Sequence, residues 1–370
     1  MRIIHTADIH LDSKLESHLG PEKATARRSE ILETFMAMID YAANNQVDAI
    51  LISGDLFDKK RISATARNRV MGGIINNPDI DFYYLQGNHD MNSFLEDVDN
   101  IPSNLHVFSD KWTSYVTGLQ KSVNIVGLEI DSSNNSILYD SLFLPFDKFN
   151  IVMLHGQQSQ YSAKDKTEVI NLSALKNKNI DYLALGHIHS YKEEKMDGRC
   201  TMVYPGCLDP RGFDEAGDHG FVLLDIDESD KTYSRRFISF ASRRVHEIPV
   251  DVTGLTDTFE AIKKVEEVLT ESEVRSKDLV KIILTGSVDV ESEIDQNAIL
   301  KRFENLFWVV RVENRAESRI DYESFLLDKS LKGAFVREVM SHEELTEVER
   351  ARIISYGLAA IRNEGVDLCD

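Results

Sequence analysis

Cysteine is scarce in this chain of 370 residues: there are three, Cys200, Cys207 and Cys369, and no two form a CxxC pair. The lack of clustered cysteines argues against a structural zinc site. An odd count without regular spacing points to reduced thiols in a cytoplasmic protein. Long apolar stretches are missing too. No run of about 18 apolar residues occurs, so no membrane span is expected. The opening MRIIHTADIH has no apolar h-region, so no secretory signal is expected either. Repeats and low-complexity linkers are absent. Positive charge is in deficit, with 42 Lys and Arg against 62 Asp and Glu and a formal net charge of −20. Contacts to nucleic-acid phosphates need cations, so this balance is a poor starting point for a nucleic-acid binder. It does not exclude one, because carboxylates at a metal site are neutralised there. Acid also concentrates at 251–300, in Glu260, Glu266, Glu267, Glu271 and Glu273, as a solvated helix face would have it.

What is present reads as two or three domains' worth of chain with ordinary apolar content, 42 %. The first 240 or so residues alternate between strand and helix. Apolar strand patterns lie at 2–6, 48–53, 81–86, 123–129, 149–154, 181–185, 202–204 and 220–226. Helical spacing runs through 24–45 by way of Ile31, Phe35, Met38, Ile39 and Ala42, and Ser63 is placed to cap a helix reaching about residue 76. After about residue 245 the pattern changes to strands at 245–250, 279–284 and 307–312, with helices at 258–269 and 295–303, as in a small α+β module. Helices are then expected at 322–340 and 343–363. The second carries a stripe of Leu345, Val348, Ile353, Ile354 and Leu358, which either packs on the chain's own core or faces a partner.

Nearly every early strand runs straight into a polar cluster. RIIHT leads to Asp8 and His10, AILIS to Gly54-Asp55, FYYLQ to Gly87-Asn88-His89-Asp90, NIVML to His155, and YLALG to His187 and His189. Ligands in α/β folds bind beyond the carboxyl ends of strands, so five clusters distant in sequence converge on one rim. On extended backbone the Asp8-x-His10 pair would point to one face. Asp55 has two oxygens with which to bridge two cations, and Gly54 permits a tight backbone beside it. Asn88 offers a neutral amide oxygen, with His89 next to it. His187-x-His189 can bind one metal or divide between two. His155 completes a set of seven donors: two Asp, one Asn and four His. Mixed carboxylate and imidazole ligation suits Mn²⁺, Fe²⁺ or Zn²⁺ better than an all-oxygen site would.

The ordered set DxH, GDLFD, GNHD, LHG and GHIH resembles the calcineurin-like metallophosphoesterase superfamily, over roughly residues 1–221. The stretch YPGCLDPRGFDEAGDHGF and the smaller module after it are most similar to the SbcD-type nucleases, bacterial relatives of the nuclease subunit of the double-strand-break repair complex. The resemblance implies an α/β fold, a four-layer sandwich of two mixed β-sheets flanked by helices. It implies a nuclease domain at 1–244, an α+β capping domain at 245–316 and a C-terminal helical segment at 317–370. One ion would be held by Asp8, His10, His189 and bridging Asp55, the other by Asp55, Asn88, His155 and His187. His89 would stabilise or protonate at the scissile phosphate. Some family members carry a histidine where this chain has Asp58, which leaves Asp58 to orient His89 from outside the ligand shell.

By the same resemblance the activity would be that of a 3′–5′ exonuclease and single-strand endonuclease in DNA repair. It would use two divalent ions, Mn²⁺ first and Fe²⁺, Zn²⁺ or Mg²⁺ after it. The partners would be DNA, an SbcC-type coiled-coil ATPase and a second copy of the chain. Lys59, Lys60, Arg61 and Arg211 are the candidate contacts to the DNA backbone, although a solvated loop explains the KKR run as well. Val70, Met71, Ile74 and Ile75 are the candidate dimer residues, although packing within the chain explains them as well. The alternative is a small-molecule phosphodiesterase acting on cyclic nucleotides or nucleotide esters, against which the long C-terminal region speaks. A non-catalytic scaffold with a relic site fits the complete donor set least.

Overall fold

The structure, a computed structural model of the chain, describes residues 1–15, 19–58, 62–87, 94–95, 100–131, 134, 137–159 and 169–361. It has two compact units, Met1–Val245 and His246–Asp370.

In the first unit, β1 (Arg2–Thr6), α1 (Pro21–Asn44), β2 (Ala49–Ser53), α2 (Ala64–Ile75) and β3 (Asp81–Leu85) follow the apolar patterns closely. Next come β4 (Leu105–Val107), β5 (Thr113–Thr117), β6 (Val123–Gly127), β7 (Phe149–His155), β8 (Gln157–Ser159), β9 (Val169–Asn171) and the single turn α3 (Leu172–Leu175). The unit continues with β10 (Tyr182–Gly186), β11 (Lys192–Lys195), β12 (Thr201–Tyr204), β13 (Gly220–Asp227) and β14 (Thr232–Ser239). One six-stranded sheet has the order β14-β13-β1-β2-β3-β4 and the other β11-β12-β10-β7-β6-β5. Each is parallel at its centre and antiparallel towards an edge. β1, β2, β3 and β4 run parallel, while β13 and β14 are antiparallel. In the second sheet β6, β7, β10 and β12 are parallel, with β5 and β11 antiparallel at the two edges. The α/β class with two mixed sheets is the architecture expected. The edge strands β5, β11 and β14 were not foreseen, because half-exposed edges such as TYSRRFIS carry no apolar run.

Side-chain alternation assigns each sheet an inner and an outer face. Ile3, Leu51, Tyr83, Leu85, Val222 and Leu224 of the first sheet join Ile125, Ile151, Met153, Tyr182, Ala184 and Val203 of the second in one buried cluster. The second sheet's outer residues, among them Val152, Leu154, Leu183 and Leu185, are covered by Leu138, Leu142, Leu172 and Leu175. Helix α1 lies on the first sheet's outer face, where Tyr41 meets the Phe221 ring at 5.3 Å. Ser63 caps α2 by accepting from the Ala66 amide at 3.1 Å. In α2, Val70 and Ile74 are buried within the chain and Ile75 is exposed.

The second unit holds β15 (Val245–Asp251), α4 (Thr258–Glu271), β16 (Leu279–Thr285), β17 (Ser287–Asp289), α5 (Gln296–Phe303), β18 (Val309–Asn314) and β19 (Glu317–Arg319). After them come α6 (Tyr322–Leu327), α7 (Leu331–Ser341) and α8 (Glu347–Ile361). Strands β15, β16 and β18 form one sheet in that order, and Val250, Ile282, Ala261, Val265, Ile299 and Phe303 fill its core with α4 and α5. The terminal helices have a core of their own, with Phe325, Val336, Val339, Ile354 and Leu358.

The continuous helix expected at 322–340 is broken in two. Asp328 is extended (ψ 121°), its carboxylate accepts from the Ser330 amide at 2.7 Å, and Ser330 then caps α7. The helix expected at 343–363 begins later, because Thr346 and Glu349 close a reciprocal capping box at 2.9 and 3.3 Å. In its apolar stripe Ile354 and Leu358 are buried while Ile353 is 39 % exposed.

One buried ion pair ties α1 to the segment after β12. Arg27 is fully buried and pairs with Asp209, and it also donates to the Pro210 carbonyl at 2.7 Å and to Ser242 Oγ at 2.8 Å. Asp209 in turn accepts from Thr34 Oγ1 at 2.6 Å and Ser242 Oγ at 2.7 Å. Removing one partner strands a buried charge. Arg27→Leu is therefore expected to destabilise the chain by about 3–5 kcal/mol in a denaturant titration, and a loss under about 1 kcal/mol would count against this role.

Candidate metal centre

The carboxyl ends of β1 and β2 in one sheet and of β7 and β10 in the other meet at a single rim. The segments after β1 and β2 are laced together: Asp8 N donates to Gly54 O at 3.1 Å, His10 N to Asp55 O at 2.9 Å, and Leu11 N to Leu56 O at 2.9 Å. Asp8, His10, Asp55 and His187 all adopt positive φ, at 52°, 51°, 52° and 104°. That region is costly for residues with a Cβ and concentrates at functional sites. It also corrects the expectation for Asp8-x-His10: strand β1 ends at Thr6, and left-handed turns rather than extended backbone bring the two side chains together.

Glycines let the strand ends close. Gly54 has φ +91°, and a Cβ there would enter the His155 ring. A Cβ on Gly87 would overlap Asp55, and one on Gly186 would overlap the Ser53 carbonyl across the two sheets.

Two triads of donor atoms result. Asp8, His10 and His189 each place one donor atom within 4.8 Å of the others, and so do Asp8, Asp55 and His155. Asp8 belongs to both triads, and Asp55 Oδ2 of the second lies 3.7 Å from His10 Nε2 of the first and 3.4 Å from His155 Nε2. His10 Nε2 and His189 Nε2 face each other at 3.2 Å. Asp8, His10 and Asp55 are at most 1 % exposed. Two buried carboxylates and three imidazoles with Nε2 turned inward suit a borderline divalent ion.

Two of the imidazoles have their other nitrogen in a hydrogen bond, and the third has it close to a carboxylate. His155 Nδ1 donates to the Ser53 carbonyl at 2.9 Å. His10 Nδ1 is 3.4 Å from Asp58, whose other oxygen accepts from Ser13 Oγ at 2.6 Å. His189 Nδ1 is 2.7 Å from Glu215. Asp58 thus sits behind His10. His187 contributes its backbone N–H to both Asp8 oxygens at 2.9 Å and sets its ring edge-on to His155 at 5.4 Å, and its imidazole belongs to neither triad.

Charge balance explains the titration behaviour. Burial alone would lower the pKa of His155, but the hydrogen bond and charge of Asp55, with Asp8 and the Ser53 carbonyl, raise it to about 9. His10 goes the other way: burial lowers it despite Asp58. Glu215 is buried, yet His189 and Arg211 hold it well below the usual carboxylate range.

Of the other residues singled out, Asn88, His89, Lys59, Lys60 and Arg61 lie outside the described residues. Arg211 turns inward, donating from Nη2 to Glu215 at 2.9 Å. Glu215, like Ser13 and Ser53, is a described residue of this site that the sequence reading passed over. Its place in the quoted DPRGFDEAG stretch, four residues after Arg211, was the available signal.

The profile of the calcineurin-like phosphoesterases matches residues 1–191. The chain is similar to YhaO of Bacillus subtilis, an uncharacterized metallophosphoesterase, at 28 % identity over 94 % of this chain and 89 % of the relative. It is also similar to the DNA double-strand break repair protein Mre11 of Saccharolobus solfataricus, at 24 % identity over 94 % of this chain and 97 % of the relative. For the protein of that name from Sulfolobus acidocaldarius the values are 26 %, 80 % and 77 %.

In chelator, the raised His155 pKa stabilises the fold fully below its ordinary value of 6.5, and that contribution is lost as pH rises through about 9. Melting curves between those limits should therefore fall with pH, and fall less in Asp55→Asn. Ligation requires the neutral ring, so Mn²⁺ affinity should rise with pH over the same window. Equal slopes in the two proteins would remove the Asp55–His155 coupling.

Proposed function

The chain belongs to the calcineurin-like phosphoesterases, and from that premise we propose that it is a metal-dependent DNA nuclease, a 3′–5′ exonuclease and single-strand endonuclease working with an SbcC-type ATPase in DNA repair. The observation that carries the phosphoesterase part is one Asp55 oxygen within 4 Å of an imidazole from each of two triads that share Asp8. The DNA part is supported by similarity to proteins named Mre11 that extends over most of the chain, the second unit included.

In this reading Asp8, His10, His189 and Asp55 hold one divalent ion, and Asp55, Asn88, His155 and His187 hold the other, with Mn²⁺ the first choice. When bound, such ions activate water at neutral pH and offset negative charge growing on the phosphoryl oxygens. The chain's own residues do the rest. The His187 amide fixes the Asp8 carboxylate through both oxygens. The Ser53 carbonyl fixes the His155 tautomer, leaving Nε2 for ligation. His89 delivers a proton to the leaving oxygen, a step suited to an imidazole near neutral pH. Lys59, Lys60 and Arg61, directly after the GDLFD segment, supply cations for the DNA backbone. Arg211 is a weaker candidate for that task, since Glu215 already engages it.

Residues 245–316 would cap the DNA, and 317–370 would dock the ATPase, in a cytoplasmic assembly. No described helix is long and apolar enough to cross a membrane. A homodimer through α2 would have to use Ile75 and its neighbours on the exposed side, since Val70 and Ile74 are spent on the chain's own core.

The test is a Mn²⁺ assay on linear, hairpin and single-stranded DNA with cyclic nucleotides alongside. Asp55→Ala is expected to lose both ions and nearly all activity. His89→Ala should retain both ions, by titration, while turnover falls about 10²–10⁴-fold. Hydrolysis of cyclic nucleotides with all DNA left intact would replace the nuclease reading by that of a small-molecule phosphodiesterase.

A further inference from the structure

We propose that Glu215 is the positioning residue for His189: it accepts a hydrogen bond from Nδ1–H, so that Nε2 is presented to Asp8 and His10, and it thereby sets the affinity of one ion of the pair. This rests on the two-ion reading above.

Four observations converge on it. Glu215 Oε1 is 2.7 Å from His189 Nδ1, a charge-assisted distance, and His189 Nε2 then points at His10 Nε2, 3.2 Å away. The carboxylate is built in rather than left on the surface. Its side chain is 4 % exposed, and its Oε2 accepts from the Arg211 amide at 2.6 Å, with the Cys207 thiol at 3.6 Å. Its backbone is pinned at both ends, by Glu215 N to Gly212 O at 3.2 Å and by His219 Nε2 to Glu215 O at 3.0 Å. Arg211 supplies the compensating cation through Nε and Nη2 to Oε1, at 3.0 and 2.9 Å. Arg211 Nη2 is also 3.0 Å from His189 Nδ1, but the ring and the guanidinium both donate to the same oxygen, and the carboxylate is the nearer neighbour of Nδ1.

The three imidazoles differ in what stands behind them. His155 has a neutral peptide carbonyl and His10 has Asp58 at 3.4 Å, with a side chain 19 % exposed. His189 has a carboxylate with a side chain only 4 % exposed at 2.7 Å, compensated by Arg211, which also lies 4.0 Å from Asp58. An anionic partner fixes both the tautomer and the ring plane, and raises the basicity of the ligating nitrogen. Loss of Glu215 should therefore fall on one ion and spare the other.

Two measurements on the full chain test this. Mn²⁺ titration followed by electron paramagnetic resonance should give two ions in the wild type. In Glu215→Gln, one site should weaken about 10–100-fold, the usual consequence of losing such a partner, with the other unchanged. Imidazole ¹⁵N spectra of the metal-free wild type should show His189 protonated at Nδ1, and this readout needs no variant should Glu215→Gln fold poorly. Glu215→Gln binding both ions as the wild type does, or a wild-type His189 protonated at Nε2 alone, would overturn the proposal. A wild type that takes up no divalent ion, yet shows the Nδ1–H tautomer, would instead bring down the two-ion reading and leave the Glu215–His189 contact standing.

Discussion

Two carboxylates with almost no solvent access, Asp8 and Asp55, stand side by side at the meeting point of two sheets. Like charges in a low-dielectric interior repel strongly and lose their hydration, so neither survives there without compensation. Much of the first unit can be read as an answer to that constraint. The His187 amide gives Asp8 two hydrogen bonds, and the His155 ring stays cationic well above its ordinary range next to Asp55. Divalent ions would answer the same need more completely. The left-handed turns at Asp8, His10 and Asp55 are then intelligible: strained backbone is retained where the packing around it over-determines the conformation.

The protein surrounds this charge problem with ordinary packing. The rim stands on parallel central strands whose residues are buried on both faces, and these hold it from below. Helix α1 is locked by a buried Arg27–Asp209 pair at the start of the segment that also carries Arg211 and Glu215. One stretch of chain after β12 thus serves a structural ion pair and, a few residues on, the outer partner of a histidine in the site. The second unit has its own cores, built from short amphipathic helices and parallel strand pairs, and supplies no residue to either triad.

Much of this was legible in the sequence because the central strands announce themselves. AILIS, NIVML and YLALG are unbroken apolar runs ended by glycine or a polar cluster, and the rim follows from where they stop. The convergence of Asp8, His10, Asp55, His155 and His189 was readable for that reason. The local conformation was not. A DxH pair reads the same on extended and on left-handed backbone, and only the φ angles of 52° at Asp8 and 51° at His10 show which is used. Glu215 escaped because an acid in a loop has no periodicity to betray it, and its meaning lies in a histidine 26 positions away. The break between α6 and α7 escaped for a related reason: Asp328 and Ser330 can sit on a helix surface, and here they hydrogen-bond each other and the backbone instead. Edge strands such as β14 escaped because one side faces water, which mixes polar with apolar residues.

The three glycines at the strand ends have a consequence for how the rim keeps its width. Where a side chain would otherwise sit, the His155 ring at Gly54 and the Ser53 carbonyl at Gly186 come within touching distance across the gap between the sheets, and the Asp55 carboxylate does so at Gly87 within one sheet. The separation of the two sets of donors is therefore fixed by peptide against peptide, in the way a gauge block fixes a gap, rather than by whatever occupies the space. A centre gauged in this manner meets its ions already spaced. The cost of bringing the charges together is met while the chain folds and not each time the site is filled, which leaves the free energy of ion binding to appear almost entirely as affinity.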